Sequence, residues 1–305
     1  MQTLITGGAG FIGSHLVHML VEQGHQIRIL DNLSSGKAES LGSVREHVDL
    51  IIGDVRDPES IAQAAHGCQA MIHLAAMVSV VQSVEQPRVC YETNLIGTLN
   101  VLDAARRAKI QRVVLASTCA VYGDTEKLPV AEDDPTAPVS PYAAAKLAAE
   151  QACQLYSKLY DLEAVALRFF NVYGPRQDPA SPYAAVVPRF IAALRAGKQP
   201  TIYGDGLQTR DFIAVSDIAR ALWTATTASN IAGQVFNVGR GESHSVLDLV
   251  EAIGELLGME VQPQFAPARA GEVRHSRADV SRFAEQAGFR AQLSLIDGLA
   301  AMLKG

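Results

Sequence analysis

A series of short apolar runs, separated by amphipathic segments, constrains the fold of this chain more than any other feature. The runs are hydrophobic on both faces, as strands of a parallel sheet are when helices cover each side. We therefore predict an α/β fold with a doubly wound parallel sheet, a Rossmann fold. The runs are "TLITGG", "QIRILDN", "DLIIGD", "AMIHLAA", "RVVLAST" and "AVALRFFNVYG".

The regular alternation loosens after about residue 172, where Pro- and Gly-rich pieces such as "GPRQDPASPY" appear. We expect residues 1–172 to form the main domain. A returning segment of about 212–239, which contains "QVFNVG", would add a strand to it. Residues 173–211 and 240–305 would then form a smaller C-terminal lobe that binds the substrate.

Composition excludes several classes of protein. The net charge of −6 over 305 residues argues against binding to nucleic acid or to an anionic membrane, because both need an excess of Lys and Arg. The four cysteines form no CxxC pair, so neither a disulfide framework nor a zinc site is predicted. No signal peptide or membrane-spanning run is evident, and we expect a cytoplasmic protein.

A glycine-rich turn follows the first run. In "TLITGGAGFIGSHL", Gly7, Gly10 and Gly13 have the GxxGxxG spacing. Glycine there permits a tight turn, close approach of the backbone to a pyrophosphate, and tight packing of a helix on a strand. The phosphates would lie near Phe11 and Ile12, where the free N–H groups of a helix N-terminus point outward.

Acidic residues end the second and third runs. A carboxylate at Asp31 can accept hydrogen bonds from both ribose hydroxyls and would repel a 2′-phosphate, so we predict NAD rather than NADP. Asp54, in "IIGDVRD", can accept from the adenine amino group. Its alternative interpretation is an N-cap ahead of Pro58.

Tyr142 and Lys146 lie four residues apart in "SPYAAAKLAAE" and so share one face of a helix. A phenol with a pKa of about 10 is a poor base at neutral pH, and a cation on the same face favours the phenolate. The alternative is a tyrosine packed on a lysine stem. Beside a dinucleotide site, we interpret the pair as a general base.

A hydroxyl at the end of the fifth run adds a third candidate group. In "VVLASTCAVYG", either Thr118 or Ser117 can donate a hydrogen bond to a substrate oxygen at the carboxyl edge of the sheet, where open α/β folds bind ligands. The alternative is a hydroxyl that satisfies local backbone. No metal site is predicted, because His15 and His18 have no evident third ligand.

Together these motifs resemble the extended short-chain dehydrogenase/reductase family, and specifically its NAD-dependent nucleotide-sugar epimerases and dehydratases. The likeness runs nearly end to end. Its landmarks are "TGGAGFIGSHL", "DNLSSGK", "GDVRD", "HLAA", "NLIGTLNVLDAAR", "ASTCAVYG", "YAAAK", "LRFFNVYGPRQDP", "YGDGLQTRDFIAVSDIARA" and "RAGEVRHSRADVS".

The resemblance implies catalytic roles for Thr118, for Tyr142 as the base, and for Lys146, which also holds the nicotinamide ribose. Tyr142 would remove the proton from the sugar O4 while C4 delivers hydride to NAD. An epimerase then turns the 4-keto sugar over and returns the hydride to its other face. The cofactor-binding residues that the resemblance implies are Gly7, Gly10, Phe11, Ile12, Gly13, Asp31, Asn32, Ser35, Gly36, Asp54, Val55, Leu74, Ala75, Ala76, Asn94, Tyr142, Lys146 and Phe169.

The resemblance also suggests a substrate. Related dehydratases place an Asp-Glu pair directly after the catalytic threonine, where this chain has Cys119 and Ala120, so 4,6-dehydration is disfavoured. A small residue at Ser276 leaves room for an acetamido group. The implied substrate-binding residues are Ser79, Thr118, Asn171, Gln177, Val187, Tyr203, Arg210, Arg269 and Ser276, of which Asn171, Arg210 and Arg269 would hold the diphosphate.

We therefore expect an NAD-dependent 4-epimerase that interconverts UDP-GlcNAc and UDP-GalNAc, with UDP-Glc and UDP-Gal as a further substrate pair. The alternatives are a UDP-uronate 4-epimerase or decarboxylase, another NAD-dependent nucleotide-sugar oxidoreductase, and a non-catalytic NAD-binding protein. In this family, helices at about 92–108 and 141–158 form a contact between subunits, so a homodimer is expected.

Overall fold

The computed structural model describes residues 1–179, 185–268 and 273–304. Its strands begin and end close to the apolar runs of the sequence. They are β1 (Gln2–Thr6), β2 (Gln26–Asp31), β3 (Val48–Ile52), β4 (Ala70–His73), β5 (Arg112–Thr118), β6 (Glu163–Phe169), β7 (Asn171–Tyr173), β8 (Thr201–Tyr203), β9 (Thr209–Arg210), β10 (Phe212–Ala214), β11 (Val235–Val238), β12 (His244–Ser245) and β13 (Gln264–Ala266).

Helices occupy most of the segments between these strands. They are α1 (Phe11–Glu22), α2 (Pro58–Ala65), α3 (Val80–Glu85), α4 (Pro87–Tyr91), α5 (Gly97–Arg107), α6 (Pro141–Leu159), α7 (Val186–Arg195), α8 (Val215–Thr227), α9 (Val246–Leu257), α10 (Ser281–Ala287) and α11 (Leu295–Lys304). Short 3₁₀ segments cover Ala38–His47 and Cys119–Tyr122, and a π turn, Glu92–Ile96, joins α4 to α5.

Local chemistry explains where key helices begin. The Ser140 side chain accepts a hydrogen bond from the Ala143 N–H, and Pro141 takes the first helical position of α6, where its missing N–H costs nothing. At α9, Ser245 and Asp248 form a reciprocal capping box. The Ser140 cap and Pro141 fix the first turn of α6, which carries Tyr142.

The main sheet has seven strands in the order β11, β6, β5, β4, β1, β2, β3, and each neighbouring pair is parallel. The strand order reverses between β1 and β4. In open α/β sheets this switch point opens a crevice at the carboxyl ends of the strands. The predicted doubly wound α/β fold is therefore confirmed.

Helices cover both faces of the sheet. One buried cluster joins the sheet to α1 and α8, and a second joins it to α2, α5 and α6. A third cluster packs α7, α9 and α11 together with Ile202 and Phe212 beyond the sheet edge. The division into residues 1–172, 173–211 and 240–305 remains a prediction.

Two further observations concern membrane-spanning helices and the cysteines. Among the helices in the described ranges, none combines the length and apolar character that crossing a membrane requires. Cys68, Cys90, Cys119 and Cys153 are free thiols.

Candidate active site

A cavity of about 1100 Å³ runs along the carboxyl edge of the main sheet. One end lies at the turn after β1 and at the tips of β2 and β3, where Gly10 and Asp31 line it. The other end reaches β8 and β9, where Tyr203 and Arg210 line it. Tyr142 lies between the two groups of residues. We call these the cofactor end and the substrate end.

The glycine turn forms a cradle that larger residues would fill. Gly7 has a φ of +72°, and a Cβ there would lie 2.7 Å from the Ala75 nitrogen. A Cβ at Gly13 would overlap the Gly7 carbonyl oxygen. No side chain caps the start of α1, and Phe11 and Ile12 line the cavity. This geometry fits a pyrophosphate against the helix N-terminus.

Asp31 ends β2 with its side chain buried and oriented by backbone. Oδ2 accepts from the Ala9 N–H at 2.9 Å, and Oδ1 accepts from the Leu33 N–H at 2.9 Å. An ionised carboxylate has about four acceptor positions, so two remain for ribose hydroxyls. The residues that the structure brings together here therefore fit an adenosine ribose.

Asp54 lies beside Asp31 at the tip of β3 and lines the cavity. Arg56 and Asn32 both donate to its carboxylate, and hydrogen bonding to the Arg56 guanidinium holds the Asp54 pKa well below its usual range. The alternative interpretation as an N-cap is wrong, because Asp57 caps α2. Asp54 is therefore an anion at the cofactor end whose carboxylate already accepts four hydrogen bonds, three from Arg56 and one from Asn32, so a bond from the adenine amino group would have to replace one of them.

Most of the predicted cofactor residues line the cavity, but two do not. Gly36 lies behind the wall, where a Cβ would meet the Ala9 carbonyl carbon at 2.9 Å. Asn94 is buried, and its amide bonds the N–H and carbonyl of Met77 at 2.8 and 2.9 Å. The lining members are Gly7, Gly10, Phe11, Ile12, Gly13, Asp31, Asn32, Ser35, Asp54, Val55, Leu74, Ala75, Ala76, Tyr142, Lys146 and Phe169.

Asn94 therefore supports the cavity wall from behind. Its backbone carbonyl also accepts from Thr98, whose hydroxyl in turn contacts His73 Nε2 at 3.1 Å. Burial lowers the pKa of His73 to about 3, so this imidazole is neutral. The other ring nitrogen contacts the Thr6 hydroxyl at 2.6 Å, which ties the end of β4 to the end of β1.

Tyr142 lies in the first turn of α6, within reach of the end of β5. Burial raises the pKa of Tyr142 to about 12, while a hydrogen bond with Thr118 acts in the opposite direction. The expectation that Lys146 lowers this pKa is wrong for this structure. The spacing of the two residues shows a shared helix face, but it does not show the desolvation that dominates here.

Lys146 is buried, and its Nζ donates to the Ala116 carbonyl oxygen at 2.9 Å. Burial lowers its pKa to about 8. The ammonium therefore lies beneath the end of β5, in the same cavity wall as Tyr142. It is positioned to donate further hydrogen bonds to a ligand at that point.

The structure separates the two hydroxyl candidates. Ser117 donates to Glu150 inside the protein, so its proton is engaged away from a substrate. Thr118 accepts from the Ala120 N–H at 3.2 Å and interacts with Tyr142. Thr118 is therefore the better candidate to contact a substrate oxygen.

The substrate end contains five of the other predicted residues, namely Asn171, Gln177, Val187, Tyr203 and Arg210. Ser79 does not line the cavity, because it caps α3 by accepting from the Gln82 N–H. Ser276 also lies outside the lining and donates to Asn171 Oδ1 at 3.4 Å. Arg269 lies outside the described residues.

The two histidines of α1 have separate partners. His15 Nε2 donates to the Pro175 carbonyl at 2.8 Å, and His18 Nε2 lies 3.3 Å from the Ser40 carbonyl. Burial lowers the pKa of His15 to about 4. The His15 contact ties the first helix to the segment that carries Gln177. Among the described residues, no group of three potential ligands that could hold a metal ion is found.

Comparison with known proteins agrees with this geometry. Residues 3–239 match the model of the NAD dependent epimerase/dehydratase family. The chain belongs to the NAD-dependent epimerase/dehydratase family. A UDP-glucose 4-epimerase of Mycolicibacterium smegmatis is 41% identical over 304 residues, which are 98% of this chain and 96% of that protein.

Two solved structures of epimerases superpose closely on this family member. One is a UDP-N-acetylglucosamine 4-epimerase from Methanobrevibacter ruminantium M1 in complex with UDP-N-acetylmuramic acid, with a TM-score of 0.95, 37% identity, and coverage of 99% and 97% of the two chains. The other is a UDP-glucose 4-epimerase from Thermotoga maritima with UDP-glucose, with a TM-score of 0.95, 35% identity, and coverage of 100% and 98%.

Sequence reasoning missed several polar residues of this epimerase-family site. Lys37, Arg176, Arg189 and Gln208 line the cavity. The Arg189 guanidinium lies 5.8 Å from the centroid of the Tyr203 ring. Arg176 and Arg189 each lie within two sequence positions of a predicted lining residue, Gln177 or Val187. This proximity in the sequence is the signal that could have identified them.

Proposed function

We propose that the protein catalyses reversible epimerisation at C4 of a UDP-hexose or UDP-N-acetylhexosamine. The observation that carries this proposal is the placement of Tyr142, Thr118 and Lys146 around the end of β5, in a cavity shared with the glycine turn. NAD, when bound, accepts the hydride from C4 and later returns it. The names of the similar epimerases support the same reaction.

The chain's own residues would handle the proton. Tyr142 would act as the phenolate: it accepts the O4 proton as the alcohol becomes a ketone, and gives it back when the hydride returns. Thr118 stabilises the phenolate and contacts the same sugar oxygen. Lys146, whose ammonium lies in the same cavity wall, would hold the nicotinamide ribose by donating hydrogen bonds to it.

Cofactor binding would rest on the other end of the cavity. The uncapped N–H groups at the start of α1 hold the pyrophosphate, and Asp31 holds the adenosine ribose. Asp54 is the anion next to this position. A 2′-phosphate beside the two carboxylates would be repelled, which supports NAD over NADP.

Substrate binding would rest on the substrate end. Arg210 is the cation for the diphosphate, with Asn171 beside it, and Tyr203 offers a ring face for the base. Ser276 lies outside the cavity lining and would affect the sugar only through Asn171, to which it donates. We propose UDP-GlcNAc/UDP-GalNAc as a substrate pair, with UDP-Glc/UDP-Gal as the other.

Dehydration receives no support from the residues after Thr118. Burial raises the pKa of the Cys119 thiol to about 12, so it cannot serve as a base at neutral pH, and Ala120 has no titratable group. Loss of water from C5 and C6 would need both an acid and a base at this point.

The test is turnover of a UDP-sugar panel by purified protein, read by NMR at C4. The expected result is UDP-GalNAc from UDP-GlcNAc, at equilibrium and without an added electron acceptor. Net accumulation of NADH would instead indicate an oxidoreductase, and carbon dioxide released from UDP-glucuronate would indicate a decarboxylase. Absence of turnover with every UDP-sugar would contradict the proposal.

We also propose a cytoplasmic homodimer built on α5 and α6. The four free thiols are consistent with a reducing compartment. Leu155 and Leu159 on α6 are 52% and 59% exposed, and Tyr91 and Ile96 are exposed just before α5. Such a group of apolar side chains favours a protein interface. Light scattering of wild type and of Leu155→Glu is expected to give a dimer and a monomer, respectively.

A further inference from the structure

A buried ion pair lies behind the end of β5, outside the cavity. Arg168 on β6 donates through Nε to both carboxylate oxygens of Glu150 at 3.1 Å, and through Nη2 to Oε2 at 2.7 Å. The two side chains are 6% and 2% exposed. Nη1 of Arg168 donates to the Tyr122 hydroxyl and the Glu132 carbonyl. The pair is therefore desolvated and fully bonded, as buried charges must be.

This pair is connected to the groups of the proposed reaction. Glu150 follows Lys146 by one helical turn on α6 and accepts a hydrogen bond from Ser117. Lys146 donates to the carbonyl of Ala116, and Thr118 interacts with Tyr142. Three consecutive residues at the end of β5, Ala116, Ser117 and Thr118, are therefore each joined to α6, and Glu150 provides the middle contact.

The charges around the Lys146 ammonium single out Glu150. The described groups that interact electrostatically with Lys146 are the thiols of Cys90 and Cys153, the imidazole of His73 and the carboxylate of Glu150. Burial raises the pKa of both thiols, to about 12 for Cys153, and lowers the pKa of His73 to about 3. The two thiols and the imidazole are uncharged at neutral pH, so Glu150, which is paired with Arg168, is the one negative group in this set.

We propose that Glu150 is a positioning residue for the reaction: it anchors α6 to the end of β5 and supplies the buried negative charge that keeps Lys146 an ammonium. Arg168 holds this carboxylate in place. The inference rests on the proposed function only for the role of Lys146 toward the cofactor. Glu150 acts through Lys146. Because Glu150 lies outside the cavity, it touches neither cofactor nor substrate.

The test is the pH dependence of NAD binding to the full chain, measured by calorimetry for wild type and Glu150→Gln. Wild-type affinity is expected to fall as pH rises through about 8, because Lys146 then loses its proton. In Glu150→Gln the ammonium form of Lys146 is less favoured, because the Glu150 charge is absent. The midpoint of the fall in NAD affinity is therefore expected to move to lower pH. A shift of about one pH unit corresponds to about tenfold weaker binding at alkaline pH.

A matched control is available on the same two strands. Arg112 and Glu163 pair at the opposite ends of β5 and β6, where the Glu163 side chain is 41% exposed. Glu163→Gln is expected to leave the midpoint at its wild-type value. A merely structural role for Glu150 would weaken NAD binding equally at every pH, and that result would overturn the proposal.

A second variant covers the case in which Glu150→Gln does not fold because Arg168 is left unpaired. In Glu150→Gln/Arg168→Met both charges are absent, and the midpoint is expected to remain below the wild-type value, since the anion next to Lys146 is gone. A wild-type midpoint would overturn the proposal, and so would failure of both variants to fold while Glu163→Gln folds.

Wild type that binds NAD but turns over no UDP-sugar would refute the proposed function and leave this inference intact.

Discussion

The two ends of the cavity are built differently. At the cofactor end the contacts come from backbone, in a glycine turn and an uncapped helix start, with carboxylates at strand tips. At the substrate end they come from long side chains, including Arg210, Gln177 and Tyr203, on short strands and loops. Backbone geometry tolerates little change, whereas side chains can be exchanged singly. The cofactor end therefore fixes the type of chemistry, and the substrate end can determine which sugar enters.

Removing the phenol between the two ends has the largest expected effect. Tyr142→Phe keeps the ring but has no group that can accept the O4 proton. Loss of a positioned acid-base group costs about 10²- to 10⁴-fold, so we expect turnover to fall by about 10³-fold while NAD still binds. Steady-state kinetics with UDP-GlcNAc, alongside NAD titration, measures both. Full activity of this variant would mean that Tyr142 is not the base.

Filling the backbone cradle tests the cofactor end. Gly7→Ala places a Cβ 2.7 Å from the Ala75 nitrogen at a φ of +72°. We expect NAD binding to be lost and stability to fall by about 1–3 kcal/mol from backbone strain. Gly24→Ala is the control, because Gly24 has a φ of +79° with nothing within 4 Å of the added Cβ. Calorimetry and urea unfolding should show strain in both variants and loss of NAD binding only in Gly7→Ala.

Removing a cation tests the substrate end. Arg210→Ala should raise the KM for the UDP-sugar by about 10- to 100-fold, since a charge-assisted contact to phosphate contributes about 1.5–3 kcal/mol. NAD affinity should remain unchanged. Arg274→Ala is the control, because its side chain pairs with Asp205 on the surface. If Arg210→Ala weakened NAD binding as much as substrate binding, the separation of the two ends would be incorrect.

Acid should lower the stability of the folded protein through His73, which lies behind the wall of the cofactor end. This effect is smaller than those of the three substitutions above. The pKa of His73 is about 3 in the folded protein against 6.5 for the free side chain, so below pH 6.5 the unfolded chain binds the extra proton. Its contribution to stability is complete above pH 6.5 and is lost as pH falls toward 3. Between pH 7.5 and 5.5 the loss is about 1.4 kcal/mol.

His73→Gln, which keeps a donor and an acceptor, should remove that part of the pH dependence in urea unfolding. His66→Gln, at an exposed position, is the control and should leave the wild-type dependence unchanged. Identical pH dependence in wild type and His73→Gln would show that His73 is not held neutral.

The sequence predicted the sheet and the cofactor end well, because both depend on local patterns. The strands that end at Thr6, Asp31, Thr118 and Phe169 correspond to apolar runs of the sequence. Parallel pairing brings their carboxyl ends to one edge of the sheet, regardless of the conformation of the loops. A motif at the end of such a strand is therefore placed by topology alone. This is why Asp31 could be placed beside the glycine turn.

The substrate end and the electrostatics were harder to predict. Ser79 caps a helix and Ser276 lies behind Asn171, because loop positions depend on tertiary packing that spacing does not encode. Gly36 and Asn94 support the wall instead of lining it. The pKa of Tyr142 moves opposite to expectation, since desolvation depends on everything around the ring.

The pairing of β11 with β6 has a consequence for protein engineering. After the chain has formed α7, β8 and β9, it returns to the main sheet at its outer edge before going on to α9. The predicted sugar-binding part, residues 173–211 and 240–305, would thus be an insertion plus a tail, and no single cut would separate it from the rest. Grafting a new sugar preference from a relative would require at least three recombination junctions, and the strand that returns must stay with its original sheet.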